Sequence, residues 1–263
     1  MKRFYLAALL GIGVLALAGC RGGGELGGNP EVTAEATSSG ADLRLTWKSI
    51  EGADGYRVYC DDNKIWEGTD TTYTIEGASN VCREVVVSAY AGDDERKSTL
   101  DLTPKSGNIT GLVSHDSATG SSWVKLDFTS GTVSAVQQGD VLEGKDDPNT
   151  GWFIFYNNSN NPEFRDASET SIERAKMEVA FTASNSSGNL APGTGSYMTV
   201  IRTANNAYHF FWADNTSTGY RSMDNNDYFG VIKVTSLTGT GPYTANLEIY
   251  MQIKVPGLRW VKF

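Results

Sequence analysis

The chain has 263 residues, a net charge of -9 and an isoelectric point of about 4.8. This length has room for two ordinary domains after a leader segment. The acidic balance argues against nucleic-acid binding and against electrostatic adhesion to anionic lipid. Aromatic residues make up 11% of the chain and charged residues 20%, with abundant Gly, Ser, Thr and Asn, which is typical of an exported all-β protein rather than a disordered chain.

The first nineteen residues predict a signal peptide. Lys2 and Arg3 supply a basic start, an almost unbroken apolar run covers residues 6–18, and small residues precede Cys20. This is the layout of a secretory signal. The run is shorter than the ~20 residues that a membrane-spanning helix needs. We therefore expect residues 1–19 to be removed on export.

Residues 17–20, Leu-Ala-Gly-Cys, resemble the lipobox of bacterial lipoproteins. The resemblance implies that Cys20 carries lipid and anchors the mature protein to a membrane by its acyl chains. A plain secretory signal with a fortuitous cysteine is the alternative. Arg21 differs from the Asp of the inner-membrane retention signal, so the resemblance implies the outer membrane or the cell surface. Residues 20–30 are Gly-rich without apolar periodicity, which predicts a flexible tether.

Residues 31–104 consist of short alternating runs at regular spacing, a pattern that predicts a β-sandwich. Leu43, Leu45 and Trp47 occupy alternate positions and so face one side of a strand. A tryptophan on that side can fill the core between two sheets.

This region resembles the fibronectin type III family in the order and spacing of its motifs. These are Leu45-x-Trp47, Gly55-Tyr56-x-Val58-Tyr59, Tyr73-x-Ile75 and Val85-x-Val87-x-Ala89-Tyr90. The resemblance implies a sandwich that serves as a spacer or a recognition module. Arg83 departs from it, because the family usually has the tyrosine of its corner motif there.

Once Cys20 is lipidated, Cys60 and Cys82 remain as an even pair in an oxidising compartment, which predicts a disulfide. Two buried free thiols are the alternative. The strands that carry the pair are antiparallel neighbours in the fold implied by the resemblance. However, Cys82 is out of phase with Val85 and Val87, so we expect a bulge. The sequence has no CxxC or Cys/His cluster, so no structural zinc site is predicted.

Residues 105–263 predict a larger, mostly antiparallel β domain with at most one short helix. Residues 152–156 alternate little, so this strand is expected to be covered on both faces. The spacing from Asp166 to Glu169 fits a capping box, which predicts the only helix, running to about Lys176.

Two hairpins and a final edge strand are predicted in the rest of this domain. The first hairpin joins residues 197–202 to residues 208–212, and the second joins residues 228–234 to residues 245–255. Residues 258–263 are expected to form a closing edge strand.

The candidate ligand-binding residues lie in the strand at 208–212. Tyr208, Phe210 and Trp212 share one face, whereas His209 and Phe211 share the other. If one side of this sheet is solvated, some of these rings are exposed and can stack on a sugar or a flat apolar ligand. The alternative is a thick two-layer core that buries all of them.

The C-terminal unit also resembles the HmuY-like haem-binding surface lipoproteins. The resemblance is carried by Trp123-Val124-x-Leu126-x-Phe128-x-x-Gly131, Trp152-x-Ile154-x-Tyr156, Val200-Ile201-Arg202-Thr203-Ala204 and Ile232-x-Val234. In that family two histidines commonly ligate the haem iron. His115 and His209 do not fall on identifiable ligand positions, so the ligation is not transferred and no cofactor is assigned.

Catalysis and metal binding find little support. The sequence lacks Gly-x-Ser-x-Gly, His-Glu-x-x-His and Walker motifs. Glycoside hydrolysis by paired carboxylates stays open, because their spacing depends on the fold. A loop around Gly139 and Gly144 offers oxygen ligands for calcium, with a solvated acidic loop as the alternative. Its acidic residues are Asp140, Glu143, Asp146 and Asp147.

These observations predict a lipid-anchored, non-catalytic binding or adhesion protein of the cell envelope, with the C-terminal β domain as its recognition unit. The expected partner is a protein or a glycan. The alternatives are a haem-binding lipoprotein of the HmuY-like kind and a surface protein that binds or hydrolyses glycans.

Overall fold

The computed structural model describes residues 25–115, 122–170, 177–183, 188–215 and 223–263. The predicted signal peptide and Cys20 lie outside these ranges. The described residues form antiparallel sheets with little helix, which confirms the all-β fold class. No helix among them has the length and apolar character needed to cross a bilayer.

The first domain is a sandwich of two antiparallel sheets. Its strands are β1 (Val32–Thr37), β2 (Asp42–Trp47), β3 (Gly55–Cys60), β4 (Asn63–Gly68), β5 (Thr72–Ile75), β6 (Glu84–Ala91) and β7 (Asp94–Asp101). The sheet orders are β1-β2-β5 and β4-β3-β6-β7. As the alternation predicts, Leu43, Leu45 and Trp47 are buried between the sheets. The Trp47 ring centroid lies 5.5 Å from that of Tyr56.

Cys60 and Cys82 form a disulfide, with their Cα atoms 5.4 Å apart. The expected bulge is absent because Cys82 precedes β6 instead of lying on it. The carboxylate of Asp61 holds that approach by accepting hydrogen bonds from the backbone N–H groups of Arg83 and Glu84. Closing a loop of this length stabilises the fold by roughly 3 kcal/mol in the chain-entropy description.

The second domain has eleven strands and one α-helix among the described residues. They are β8 (Lys105–Val113), β9 (Trp123–Asp127), β10 (Thr132–Val136), α1 (Gln138–Gly144), β11 (Thr150–Asn158), β12 (Asn161–Asp166), β13 (Glu178–Thr182), β14 (Tyr197–Met198), β15 (Val200–Arg202), β16 (Tyr208–Asp214), β17 (Tyr228–Thr238) and β18 (Thr244–Gln252). They form a five-stranded sheet, β10-β9-β11-β12-β15, and a six-stranded sheet, β14-β13-β16-β17-β18-β8.

The two sheets enclose the main core of the second domain. Strand β11 has buried side chains on both of its faces. Phe153 and Phe155 point into this core, while Trp152 and Ile154 are buried in a separate cluster on the outer face. The prediction that this strand is covered on both faces is therefore confirmed. Gly107 allows the edges to approach, since a Cβ there would lie 2.2 Å from Val133 Cγ2.

The helix prediction was wrong in position. The helix α1 lies in the predicted acidic loop, where the Asp140 carboxylate caps it by accepting from the Gln137 N–H at 2.9 Å. At the predicted site, Asp166 accepts from the Ser168 N–H at 2.8 Å, and the next described residues, Ala167–Glu169, form a 3₁₀ turn instead of an α-helix. The turn ends because Thr170 has extended backbone angles. Residues 171–176 lie outside the described ranges.

The first predicted hairpin was also wrong, whereas the second is confirmed by the pairing of β17 with β18. Strand β15 pairs with β12 in the five-stranded sheet, and β16 pairs with β13 and β17 in the six-stranded sheet. The intervening turn carries the chain across the sandwich. The Thr203 N–H donates to the Pro162 carbonyl on one side, and the Asn206 N–H donates to the Val234 carbonyl on the other.

The C-terminal segment (residues 253–263) joins the two domains instead of forming an edge strand. Trp260 is buried in the first domain's core, and its indole N–H donates to the Ala41 carbonyl at 2.8 Å. Lys262 Nζ lies 2.5 Å from Asp61 Oδ2. Phe263 packs beside Tyr250 of the second domain. The domains are thus held together by the last residues of the chain.

The predicted tether ends before Pro30. Leu26 is buried in the first domain's core, and the Gly27 N–H donates to the Glu51 carbonyl at 3.1 Å. Because Leu26 lies among glycines, apolar periodicity does not predict that it is buried.

Candidate functional site

The outer face of the six-stranded sheet is covered by the chain itself. Phe210 and Trp212 are 2% and 1% exposed, in a cluster that includes Ala191, Met223 and Val261. Tyr208 is half-buried beside Phe263. The rings predicted as an exposed platform are therefore interior or covered, because the C-terminal segment and the chain around Ala191 lie over them.

His209 is also buried, on the opposite face of β16. Its Nδ1 lies 2.9 Å from the Thr182 carbonyl oxygen, which only accepts, so Nδ1 carries the proton. Its Nε2 then accepts from the Thr203 hydroxyl at 2.9 Å. Burial lowers the pKa of His209, which keeps this imidazole neutral. Both ring nitrogens are thus used within the core.

The two histidines do not converge on one site. The His209 ring packs against Phe164 between the sheets, whereas the exposed His115 stacks on Tyr156 at the outer face of the five-stranded sheet. Haem ligation by both would require His209 to release Thr203 and leave the core. The described geometry therefore gives no support to a bis-histidine haem site.

Several carboxyl groups are buried near the covered sheet. Burial raises the pKa of Asp227 to about 7, and the negative charge of neighbouring Asp214 acts in the same direction. Burial likewise raises the pKa of Asp166 to about 6, against hydrogen bonds from the Ser168 and Val179 N–H groups. Across the described residues, no three Asp, Glu, His or Cys side chains form a group able to hold a metal ion. The calcium hypothesis for the acidic loop accordingly gains no support.

The described residues cover the outer face of the five-stranded sheet only in part. Helix α1 places Val141, which is fully buried, over Trp123, Trp152 and Ile154. Gly144 permits this close packing, because a Cβ there would lie 2.7 Å from Trp152 Cζ2. Among the described residues, two openings adjoin this helix, one at Gln138 and the other along Asp140, Glu143 and Gly144.

The first opening, here called the His115 cleft, has a volume of about 210 Å³. Polar side chains surround aromatic rings within it. The lining residues are His115, Trp123, Gln138, Ile154, Tyr156, Arg165, Glu169 and Thr170. The His115 and Tyr156 ring centroids are 5.6 Å apart with the rings stacked. The Arg165 guanidinium carbon lies 3.9 Å from the Tyr156 centroid, within cation–π range.

Arg165 is held rigidly at the wall of this cleft. Its Nε and Nη2 donate to Glu163 Oε2 at 3.0 and 2.7 Å. Glu163 is almost fully buried and also receives the Asn158 amide at 3.2 Å. A fixed guanidinium loses little conformational entropy when it binds a ligand, because its geometry is already set.

The second opening, here called the Lys125 cleft, has a volume of about 480 Å³ and lies along the other side of α1. It is shallower and is lined by Lys125, Ser134, Val136, Asp140, Glu143, Gly144 and Trp152. Lys125 Nζ lies 5.6 Å from the Trp152 ring centroid. Lysine and two carboxylates share this cleft, so its charge is mixed.

The two clefts offer groups that can contact a polar ligand. Among the described residues, the one hydroxyl hydrogen-bonded to a histidine is Thr203, and that pair is sealed in the core. A hydrolytic nucleophile would need an accessible base at hydrogen-bond distance. The clefts instead provide rings, amide and hydroxyl groups and opposite charges, which suit reversible binding of a polar ligand.

Trp123, Gln138, Tyr156 and Arg165 were not singled out as site residues from the sequence. Strand alternation was the sequence signal that could have identified them, because it places Trp123 on β9 and Tyr156 on β11 on the face opposite the main core. The aromatic run at 208–212 gave a stronger pattern, but its cover comes from residues about fifty positions later. Sequence proximity does not reveal that cover.

No model of a known protein family matches this chain, and no curated protein matches it.

Proposed function

We propose that this protein is a lipid-anchored, non-catalytic binding protein of the bacterial cell envelope, with the C-terminal β domain as its recognition unit. The anchor is supported by the basic start, the apolar run and the Leu-Ala-Gly-Cys ending at Cys20. The acyl chains would supply the membrane affinity that the acidic chain lacks.

The observation that carries the recognition role is the His115 cleft. It is the more enclosed of the two openings beside α1, and it combines a fixed guanidinium with stacked rings. Rigid polar groups beside aromatic surface are typical of binding sites.

The first domain is proposed as a fibronectin-type spacer. Its sheets of three and four strands and its buried Trp47 support that assignment. The C-terminal segment restrains its position relative to the second domain through the Lys262–Asp61 ion pair and the buried Trp260. A fixed spacer would hold the clefts at a set distance from the bilayer.

The anchor is tested by mass spectrometry of the mature protein from a bacterial membrane fraction. We expect an acylated Cys20 as the first residue and loss of membrane association in Cys20→Ala. An unprocessed chain that retains Met1 and carries no fatty acid would overturn this part of the proposal.

The recognition role is tested by measuring how the purified protein binds isolated cell envelopes. His115→Ala should weaken binding by about tenfold, a loss of about 1.4 kcal/mol. Thr74→Ala, at an exposed strand position of the first domain, is the matched control and should bind normally. Equal binding by both variants would remove the cleft from the proposed function.

A further inference from the structure

The two clefts lie on one continuous surface. Trp123 pairs with Ile154 across β9 and β11, and Lys125 pairs with Trp152 in the same ladder. These four side chains therefore occupy adjacent positions of one sheet face. Helix α1 stands between the openings, with Gln138 at the His115 cleft and Glu143 at the Lys125 cleft. An extended ligand can contact both clefts from one side.

The charges within each cleft are mixed. Arg165 and Glu169 face the His115 cleft, while Lys125, Asp140 and Glu143 line the other. The Glu169 carboxylate accepts from the Thr199 hydroxyl, and Arg165 is paired with Glu163. No single sign of charge dominates, which favours a neutral ligand with many hydrogen-bonding groups over an ion.

Each cleft also borders a tryptophan whose indole N–H is unsatisfied. Trp123 and Trp152 are 2% exposed, and neither Nε1 has a hydrogen-bond partner among the described residues. A buried donor without a partner is unfavourable by about 1–3 kcal/mol. An acceptor that enters a cleft and reaches its indole N–H would relieve that cost.

We infer that the two clefts are adjoining subsites for a neutral oligosaccharide, one on each side of α1. Sugar hydroxyls both donate and accept, which matches the mixed lining, and a sugar oxygen can accept from an unpaired indole N–H. An extended chain of such units would match two openings on one sheet face. This inference rests on the proposed recognition function and names its ligand class.

Other ligand classes fit the surface less well. A lipid chain requires a continuous apolar groove, whereas both clefts are lined largely by polar side chains. A nucleic acid is disfavoured by the net charge of -9. An acidic oligosaccharide would meet Glu169 at one end and Asp140 with Glu143 at the other, with a like-charge cost at both.

The test is nuclear magnetic resonance of the tryptophan indole N–H groups in the full-length protein in detergent micelles. The variants Trp123→Phe and Trp152→Phe assign the two resonances. The probes are the neutral hexaoses of cellulose, starch, xylan and mannan, with oligogalacturonate as an acidic comparison. We expect at least one neutral hexaose to shift both indole resonances, while the Trp47 and Trp260 resonances stay unchanged.

Substitutions at exposed or half-exposed positions show whether the response comes from the clefts. His115→Ala and Lys125→Ala should each weaken the apparent affinity by about tenfold without moving the unbound spectrum elsewhere, and Thr74→Ala should leave it unchanged. A shift at only one of the two indoles would overturn the paired subsites. A response to oligogalacturonate alone, or to none of the probes, would overturn the ligand class.

Failure of this inference is distinguishable from failure of the proposed function. If binding to envelopes depends on His115 while no hexaose shifts either indole, the ligand class is wrong and the recognition role stands. If Cys20 is not acylated and envelope binding is absent, the proposed function itself fails, whatever the hexaoses do.

Discussion

The two outer faces of the C-terminal domain carry similar residues, but one is buried and the other is partly open. The face of the six-stranded sheet bears Phe210 and Trp212, and the C-terminal segment helps to seal it. The face of the five-stranded sheet bears Trp123 and Trp152, and within the described part of the chain the seven-residue helix α1 packs over it. Aromatic composition therefore does not distinguish a buried face from an open one. Whether a face is buried depends on the segment that packs over it, and that segment can come from a distant part of the chain.

The largest expected effect is in the C-terminal segment, which joins the two domains. Trp260→Ala removes a ring that is 1% exposed and a hydrogen bond to Ala41, so the free energy of unfolding should fall by about 4 kcal/mol. Urea denaturation measures this loss. The control is Leu142→Ala, at a side chain that is 51% exposed, for which the change should stay within about 0.5 kcal/mol. A similar small change for Trp260→Ala would show that the C-terminal segment does not seal the molecule.

A smaller loss is expected beneath α1. Val141→Ala removes two buried methyl groups between Trp123 and Trp152, which should cost about 2 kcal/mol. The same substitution should broaden both clefts, so it should weaken binding in the envelope assay as well. If stability falls and binding is unchanged, the helix covers the sheet without shaping the recognition surface.

The sealed face should also show a pH signature. The pKa of Asp227 is raised to about 7 in the folded state from an ordinary value of 3.8, so the folded protein holds this proton more tightly than the unfolded chain. The contribution of Asp227 to stability is therefore fully present below about pH 4 and is lost as the pH rises to about 7.

Asp227→Asn should remove this dependence and stabilise the protein at neutral pH, on the order of 1–2 kcal/mol. Denaturation midpoints between pH 4 and 8 measure it. The matched control is Asp146→Asn, at an exposed carboxylate near α1, for which the pH profile should match that of the parent protein. Parallel profiles for Asp227→Asn and the parent protein would contradict the assignment.

The smallest stability effect is expected on the open side. His115→Ala alters an exposed ring, so its free energy of unfolding should stay within about 0.5 kcal/mol of the parent value, although binding to envelopes falls. Thermal unfolding of the two proteins provides the comparison. A loss of several kcal/mol would mean that His115 is a structural residue and that the binding assay reports misfolding.

Local pattern explains which parts of the fold could be predicted. Alternation at Leu43, Leu45 and Trp47 identified a half-buried strand, and the unbroken run at residues 152–156 identified a strand buried on both sides. The cysteine pair was predictable because two thiols remained once Cys20 was set aside. Each of these signals lies within one strand or in a simple count.

The parts of the fold that could not be predicted depend on contacts between residues that are distant in sequence. The helix α1 contains two glycines in seven residues, which hides it from propensity, and it forms where it can bury Val141. Residues 200–212 have the pattern of a hairpin, yet β15 and β16 lie in different sheets. The burial of Phe210 and Trp212 also depends on distant residues, because the segment that covers them comes from the end of the chain. No sequence window of ordinary length contains both these rings and the segment that covers them.

The contrast between the buried core of the second domain and its open outer face can be measured directly by acylating the histidines of the native protein with diethylpyrocarbonate and locating the label by mass spectrometry. We expect His115 to be modified rapidly and His209 to react only after unfolding, because both nitrogens of His209 are hydrogen-bonded in the core. Modification of His209 at a rate comparable to that of His115 in the folded protein would contradict the account.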